Sequence, residues 1–145
     1  MSDIAFSHIG LCVADADRSL RFYTGALGFE EGPRYSVGDE FAAVMGLPHP
    51  LRLTSQFVRK DGMQLEFLEY GAPETFGSTD MRPMNQFGLT HLSVRVDAIE
   101  EVVGRVVAHG GKVHRETYHD AGPAGEFIYC SDPDGVRVEL MRLPS

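Results

Sequence analysis

The sequence predicts an α+β fold made of two copies of a βαβββ module, because two strand patterns each occur twice. DGMQLEFL at residues 61–68 and DGVRVELM at residues 134–141 share an Asp-Gly pair and a later glutamate. Upstream of each copy, HIGLCV at residues 8–13 and HLSVRV at residues 91–96 begin with histidine and then alternate. An Asp-Gly pair before an alternating run is typical of a strand entered from a tight turn. Two matched strand pairs therefore indicate a duplicated module.

Length and charge limit the classes of function. The chain has 145 residues and a formal net charge of −8, which argues against a nucleic-acid surface and against attraction to anionic membranes. No apolar run reaches the length of a membrane span, and the opening MSDIAFSH has no signal-like segment. We therefore expect a cytoplasmic protein without nucleic-acid or membrane partners. Its single domain, residues 1–145, would comprise module 1 (about 4–70), a linker (71–88) and module 2 (about 89–143).

Module 1 is predicted to open with a strand at about residues 5–13 that leads into a helix. Asp15 or Asp17 can cap the start of this helix. The remaining predicted elements are a short strand at 30–35, helical turns at 40–45, and two strands from 52 onward joined by the Asp61-Gly62 turn, the second of which carries Glu66. This order of elements is that of a βαβββ module.

Module 2 is predicted to contain a helix near residues 97–109. Asp97 and Glu100 have the spacing of a capping box, and Gly110 with Gly111 ends the helix. Apolar residues at helical spacing form one stripe: Ile99, Val102, Val103, Val106 and Val107. Strands are predicted at about 90–96, 112–117, 126–131 and 136–142, with an Asp-Pro-Asp-Gly turn before the last.

Two further segments carry expectations. Residues 71–88 contain Gly, Pro, Ser and Asn without hydrophobic periodicity, which predicts a linker. It is long for a compact domain, so a plain linker and a lid or partner-wrapping segment are both open. Cys12 and Cys130 lie in apolar strand-like runs, which predicts that both thiols are buried and pack as small hydrophobes.

The duplicated module resembles the vicinal oxygen chelate superfamily, which includes glyoxalase I, extradiol dioxygenases, methylmalonyl-CoA epimerase and antibiotic-resistance proteins. The resemblance covers nearly the whole chain. HIGLCVADADRSLRFYTGALGF at residues 8–29 is similar to the first glyoxalase I motif, and a DPDG turn before a strand glutamate, here Glu139, is common in the superfamily. Thr90 stands before His91, where glyoxalase I normally has glycine.

The resemblance implies a mixed sheet that curls around a central cavity, with polar strand positions facing that cavity. His8, Glu66, His91 and Glu139 would then meet as ligands of one metal ion. Two imidazoles and two carboxylates suit a borderline divalent ion, so Zn, Ni, Co, Mn and Fe are all chemically compatible and the metal identity stays open.

Three functions follow from this resemblance. A metal-dependent glyoxalase-like lyase or isomerase uses all four ligands, and Glu139, or alternatively Glu66, removes a proton next to a carbonyl of a small substrate. An Fe(II) extradiol ring-cleavage dioxygenase needs only His8, His91 and Glu139. A non-catalytic protein that binds a small molecule, such as an antibiotic, needs the cavity alone. The four ligands favour the first function and therefore an enzyme.

Four more residues are candidates for binding the substrate. Arg95 and Arg137 share strand faces with His91 and Glu139, so each can bind a substrate carboxylate or phosphate, or pair with a cavity carboxylate. His119 and Tyr129 lie in a run that resembles the extradiol dioxygenase motif. That resemblance implies an acid–base role for His119 and a hydrogen-bonding role behind the metal ligands for Tyr129.

Exposed sheet edges and an apolar helix stripe predict a symmetric homodimer. The metal site can lie within one chain or be shared between two, and the sequence leaves both arrangements open. It also leaves the substrate open, because the cavity shape depends on loop conformations that residue patterns do not determine.

Overall fold

Two compact units make up the computed structural model, which describes residues 3–144. The first unit runs to Gly77 and the second begins at Ser78, except that Gly25–Leu27 belong to the second. Within the described residues each unit contains one four-stranded mixed sheet and follows the order βαβββ. The predicted α+β fold with two modules is therefore confirmed.

The first unit places its opening strand beside its closing strand. Its elements are β1 (Ile9–Val13), α1 (Ala16–Gly25), β2 (Glu30–Val37), a 3-10 turn (Asp39–Phe41), α2 (Ala42–Met45), β3 (Arg52–Lys60) and β4 (Met63–Ala72). The strand order is β1-β4-β3-β2, with β1 parallel to β4 and the other pairs antiparallel. The register pairs Gly10 with Glu66, so the residues around His8 run alongside the central carboxylate of β4.

The hairpin between β3 and β4 uses the predicted Asp-Gly turn. Asp61 has a φ of 50° and Gly62 a φ of 80°. Positive φ at both central residues is the requirement of the two-residue turn whose twist matches that of the flanking strands. The Asp-Gly pair therefore sets the register of β4 and with it the face that Glu66 occupies.

One face of β4 is covered by aromatic residues of its own unit. Leu65 and Phe67 are buried, and the Tyr23 ring of α1 lies 5.0 Å from the Phe67 ring. Since side chains alternate along a strand, Glu66 points to the opposite face. On that face a smaller apolar cluster of Ala42, Leu51 and Leu53 packs near Leu68 and Tyr70.

The second unit repeats this arrangement. Its elements are β5 (Leu92–Arg95), α3 (Ile99–Ala108), β6 (Lys112–Asp120), a 3-10 turn (Gly122–Ala124), β7 (Glu126–Ser131) and β8 (Arg137–Arg142). The strand order is β5-β8-β7-β6, with β5 parallel to β8. The helix α3 packs on β6, β7 and β8, where Ile128, Val138 and Leu140 are buried. No helix within residues 3–144 combines the length and the apolar character needed to cross a membrane.

The start of α3 differs from the prediction. The cap position is Ala98, and no side chain caps the helix there, so the predicted capping box is wrong. The Glu100 carboxylate instead accepts two hydrogen bonds from Arg115 on β6, of 2.6 and 3.0 Å, which lower the pKa of Glu100. A bidentate guanidinium is a stronger partner for a carboxylate than a backbone amide.

The prediction that both cysteines are buried is wrong for Cys12. In the apolar stripe of α3, Val107 is 59% exposed because it lies at the edge, and the other four members are buried. Cys12 is exposed, because it shares a strand face with Gly10, which is also exposed. Cys130, by contrast, is buried as predicted, and this burial raises the pKa of its thiol to about 11.

The segment between the two sheets, residues 73–91, contains no helix or strand. Backbone carbonyls tie part of it together, because Arg82 donates hydrogen bonds of 2.6 Å to Phe87 and 3.3 Å to Leu89. The Arg82 carbonyl in turn accepts a 2.6 Å hydrogen bond from Arg137 on β8. The side chains of Phe76 and Phe87 are fully exposed. The linker is therefore held through its backbone and presents apolar side chains to solvent.

Candidate functional site

The first unit brings His8 and Glu66 together. His8 directly precedes β1, Glu66 lies in the middle of β4, and the parallel pairing places them side by side. The His8 Nε2 atom lies 3.0 Å from the Glu66 Oε2 atom. The side chains are 36% and 19% exposed, so the pair is accessible without being fully solvated. We call these two residues the first half-site.

Neighbouring side chains hold both members of the first half-site. The Nδ1 atom of His8 lies 2.8 Å from the hydroxyl of Ser7, and the Phe57 ring meets the imidazole edge-on at 5.2 Å. Ser55 donates a 2.6 Å hydrogen bond to Oε1 of Glu66. Outer groups of this kind fix the orientation of an imidazole or a carboxylate that binds a metal ion.

The second unit places Glu139 and His91 at positions that correspond to those of Glu66 and His8 in the first unit. Glu139 lies on β8 beside Ser93 of β5, and the Ser93 hydroxyl donates a 2.7 Å hydrogen bond to Oε1 of Glu139. His91 precedes β5, and its Nδ1 atom lies 2.8 Å from the hydroxyl of Thr90. We call His91 and Glu139 the second half-site.

Tyr129 joins the two members of the second half-site. It is the register partner of Glu139 on β7, and its ring meets the His91 ring edge-on at 5.8 Å. Burial raises the pKa of Tyr129, and the charge of Glu139 and a hydrogen bond to that carboxylate raise the same pKa further. The Tyr129 hydroxyl therefore stays protonated at neutral pH.

The two half-sites have the same kinds of neighbouring side chains, and one of these similarities is visible in the sequence. A hydroxyl residue precedes each histidine, an aromatic ring lies beside each imidazole, and a serine holds each glutamate. Extending the repeat by one residue, to Ser7 and Thr90, would have found the first of these features. Ser55 gave no such signal, because it lies on β3 while its functional counterpart Ser93 lies on β5.

The donor atoms of the first half-site fit a divalent ion. Each histidine has a hydroxyl beside its Nδ1 atom, and in the first half-site Nε2 of His8 faces Glu66. Two ligands at right angles and ~2.1 Å from one ion are roughly 3.0 Å apart, the distance that separates His8 Nε2 from Glu66 Oε2. Within residues 3–144 no three His, Cys, Asp or Glu side chains form a group that could hold a metal, so the four-ligand site stays a prediction.

The four candidate substrate-binding residues lie in different surroundings. Tyr129 contacts His91, and the Arg137 guanidinium carbon lies 5.1 Å from the centre of the Tyr129 ring. Arg95 is exposed at the end of β5, opposite Met141. His119 is exposed on β6 opposite Phe127, beyond a bulge in the strand. Tyr129 and Arg137 are therefore the two candidates with contacts around the second half-site.

The model of one protein family matches residues 5–140, namely the Glyoxalase/Bleomycin resistance protein/Dioxygenase superfamily. The chain belongs to this superfamily. The match spans both half-sites and all eight strands except the last two residues of β8. Membership of the superfamily agrees with the resemblance that the repeated motifs indicated.

Several relatives of this chain are named as lactoylglutathione lyases. A probable lactoylglutathione lyase from Vibrio parahaemolyticus is 28% identical over 142 residues, which cover 98% of this chain and 93% of the relative. The lactoylglutathione lyase of Salmonella typhimurium is 27% identical over 139 residues, covering 92% and 89%. These relatives support a glyoxalase-type function for the superfamily member.

Solved structures show the same fold. A glyoxalase family protein from Bacillus cereus has a TM-score of 0.83 at 20% identity, and the match covers 99% of both chains. A fosfomycin resistance protein from Listeria monocytogenes has a TM-score of 0.64 at 18% identity, covering 99% of this chain and 96% of the other. Identities this low establish the fold of the superfamily member and leave its substrate open.

Proposed function

We propose that the protein is a metal-dependent glyoxalase-like lyase or isomerase that removes a proton next to a carbonyl of a small substrate. The observation that carries this proposal is the matched pair of half-sites, each with one histidine and one hydrogen-bonded glutamate. The similarity to lactoylglutathione lyases supports the same reaction class.

His8, Glu66, His91 and Glu139 would hold the ion as two nitrogen and two oxygen donors. This donor set suits Zn, Ni, Co, Mn or Fe. When bound, such an ion acts as a Lewis acid that stabilises negative charge on substrate oxygens next to the reacting carbon. The histidines serve as neutral ligands and take no part in proton transfer, and the hydroxyls of Ser7 and Thr90 keep their rings oriented.

Glu139 is the proposed base. The reaction needs a carboxylate that is ionised before substrate arrives and that points at the carbon-bound proton. Ser93 donates a 2.7 Å hydrogen bond to Oε1 of Glu139, which restricts the rotation of this carboxylate. Glu66 is the alternate base. Its two oxygens have partners within the first unit, the Ser55 hydroxyl and the His8 imidazole.

An Fe(II) extradiol dioxygenase is the second candidate function. The observation that favours it is the cluster of His91, Tyr129 and Glu139, since Tyr129 falls where the dioxygenase-like run in the sequence requires a hydrogen-bonding group. Such an enzyme would use His8, His91 and Glu139 as ligands, and Glu66 would have no role in the chemistry. The two functions differ in whether O₂ is consumed.

We also propose that the protein is a homodimer. The fully exposed rings of Phe76 and Phe87 and the 71% exposed side chain of Leu89 are concentrated in the linker. Large exposed apolar side chains favour burial in a protein interface over contact with solvent. A second copy of the chain would cover these side chains in the same way on both sides of a twofold axis.

The proposed reaction is tested by proton exchange. The metal-loaded protein in D₂O should incorporate deuterium next to the carbonyl of a methylglyoxal hemithioacetal or of a 2-methyl-3-oxoacyl thioester. Glu139→Gln should keep much of the metal and lose turnover by at least ~10²-fold, the loss typical of a removed general base. Glu126→Gln, which alters a carboxylate paired with Arg142 on the same sheet, is the control and should retain activity. O₂ consumption with a catechol, without exchange on either carbonyl compound, would assign the dioxygenase function.

A further inference from the structure

Arg137 occupies an unusual position for a charged residue. It lies on β8 and is only 8% exposed, which makes it the one buried lysine or arginine within residues 3–144. The cost of removing a guanidinium from water is large unless hydrogen bonds and an opposite charge compensate it. The contacts of the Arg137 side chain therefore indicate whether its charge has a structural role or binds a ligand.

The contacts of Arg137 offset only part of the cost of removing its guanidinium from water. One terminal nitrogen, Nη2, donates a 2.6 Å hydrogen bond to the Arg82 carbonyl, and the guanidinium stacks over the Tyr129 ring. The Nε atom is buried and has no hydrogen-bond partner among the described residues. The ion pairs formed by other arginines within residues 3–144 do not extend to Arg137. A buried cation that retains donors and has no carboxylate beside it matches an anion receptor.

The location of Arg137 connects it to the proposed chemistry. It lies two residues before Glu139, so both side chains project from the same face of β8. Tyr129 contacts the guanidinium and is also the register partner of Glu139 on β7. The spacing of two strand residues is about 6.6 Å. An anion on Arg137 would therefore lie several bonds away from the carbon that faces Glu139.

We propose that Arg137 binds a carboxylate of the substrate, and hence that the natural substrates carry a carboxylate several bonds from the carbon that loses its proton. This inference rests on the proposed function. A carboxylate fits better than a phosphate, because the planar group can pair edge-on with a guanidinium that is almost covered by the linker and Tyr129. Without Arg137, the glutamates of the half-sites and the net charge of −8 would disfavour such an anion.

Arg95 provides a matched comparison. It lies on β5 opposite Met141 and is two residues from the Ser93 position that pairs with Glu139. Unlike Arg137, Arg95 is exposed, so water already solvates its charge and an added carboxylate gains less. The two arginines thus carry the same charge close to the same glutamate and differ in burial.

The test uses two probes that differ at one end only, S-lactoyl-3-mercaptopropionate and its carboxamide. Titration calorimetry with the metal-loaded protein should show that the acid binds at least ~10-fold more tightly than the amide, as expected for a hydrogen-bonded charge. Arg137→Met should remove this preference, with the amide affinity within about twofold of its original value. Arg95→Met should preserve the preference. Equal affinities in the parent, or no measurable binding of the acid, would overturn the inference.

A second variant keeps the inference testable if Arg137→Met does not fold. If circular dichroism shows that Arg137→Met is unfolded, Arg137→Lys keeps the charge and removes the planar pair of donors, so the acid should lose affinity and the amide should not. An unchanged acid preference in Arg137→Lys would contradict the inference. Failure of the proposed function would appear differently, as absent deuterium exchange in a parent protein that still prefers the acid.

Discussion

The Ser93 hydroxyl lies 2.7 Å from Oε1 of Glu139 and donates to it across the parallel pair β5–β8. The corresponding bond in the first unit, 2.6 Å from Ser55 to Glu66, comes instead from the antiparallel neighbour β3. Each glutamate therefore has one oxygen engaged by a serine, although the two serines occupy different strands. Both units thus keep a serine hydrogen bond to the glutamate, but the serine comes from a different strand in each unit.

Removing the Ser93 hydroxyl should weaken metal binding without removing a ligand. We expect Ser93→Ala to lower the affinity for a divalent ion by about 10- to 100-fold, the usual effect of losing an outer hydrogen bond to a ligand. Competition with a chelator measures this affinity. Ser36→Ala, at an exposed position on β2, is the control and should bind as the parent does. An unchanged affinity in Ser93→Ala would show that this hydroxyl does not support a metal ligand.

Removing both members of the second half-site should empty the metal site. His91→Ala combined with Glu139→Ala deletes two of the four proposed ligands, and native mass spectrometry should then find almost no bound metal. His49→Ala, whose side chain is 66% exposed, removes a histidine outside the half-sites and should leave the metal content unchanged. In the parent, X-ray absorption should place the ligand atoms at roughly 2.0–2.2 Å. Equal metal content in the double variant and the parent would refute the assignment.

The two cysteines should differ in reactivity. Cys12 is exposed, while burial raises the pKa of Cys130 to about 11, so that very little Cys130 thiolate exists at pH 8. Iodoacetamide should therefore label Cys12 and leave Cys130 unmodified in the folded protein, as read by peptide mass spectrometry. Labelling in urea should reach both thiols and serves as the control. Preferential labelling of Cys130 would contradict the described burial.

Asp15 should stabilise the protein through the start of α1. Its carboxylate accepts a 2.9 Å hydrogen bond from the Arg18 amide, which lowers the pKa of Asp15 below its ordinary value. Asp15→Ala should therefore reduce the free energy of unfolding by about 1 kcal/mol at pH 7. A lowered pKa stabilises the folded state above the unfolded pKa of ~3.9, and this contribution disappears as pH falls through the folded pKa.

Urea unfolding at pH 7 and near pH 3 measures this difference. The gap between parent and Asp15→Ala should be clear at pH 7 and much smaller at the lower pH. Asp97→Ala is the matched control, because Asp97 precedes α3 and no side chain caps that helix, so its stability should stay close to that of the parent. Equal losses in the two variants would contradict a specific cap at Asp15.

The proposed homodimer should depend on the linker rings. Sedimentation of the parent at micromolar concentration should give twice the 16.0 kDa mass of the chain. Phe76→Ser combined with Phe87→Ser should shift the equilibrium toward the 16.0 kDa species, because both side chains are fully exposed in the single chain. Val44→Ser changes an 84% exposed apolar residue of α2 and should leave the dimer intact. A parent that sediments only as a single chain would refute the dimer.

Local patterns in the sequence predicted the fold and the faces of its strands. Alternation assigned Glu66 and Glu139 to the faces opposite Leu65 and Val138, and the burial of those two apolar residues agrees. The Asp61-Gly62 pair predicted its turn because only a few residue types accept positive φ at both positions. These features depend on neighbours in the chain, which a sequence displays directly.

Other features depend on which elements come together, and the sequence did not reveal them. Glu100 matched a capping box, yet its carboxylate pairs with Arg115 on β6. Cys12 lies in the same kind of apolar run as Cys130, and only the second is covered. The burial of Arg137 under the Arg82 carbonyl follows from the path of the linker, for which residue periodicity gave no indication.

The glycines of the two repeated Asp-Gly pairs differ in how much space surrounds them. Gly62 and Gly135 have φ values of 80° and 88°, so a side chain would be strained at either position. A Cβ atom at Gly62 would meet nothing within 4 Å, whereas at Gly135 it would come within 1.9 Å of the Thr79 carbonyl oxygen. Asparagine, which tolerates a left-handed backbone, is thus an admissible substitute at the first turn and not at the second. In a library that randomises both turns, position 62 should accumulate variants while position 135 remains glycine.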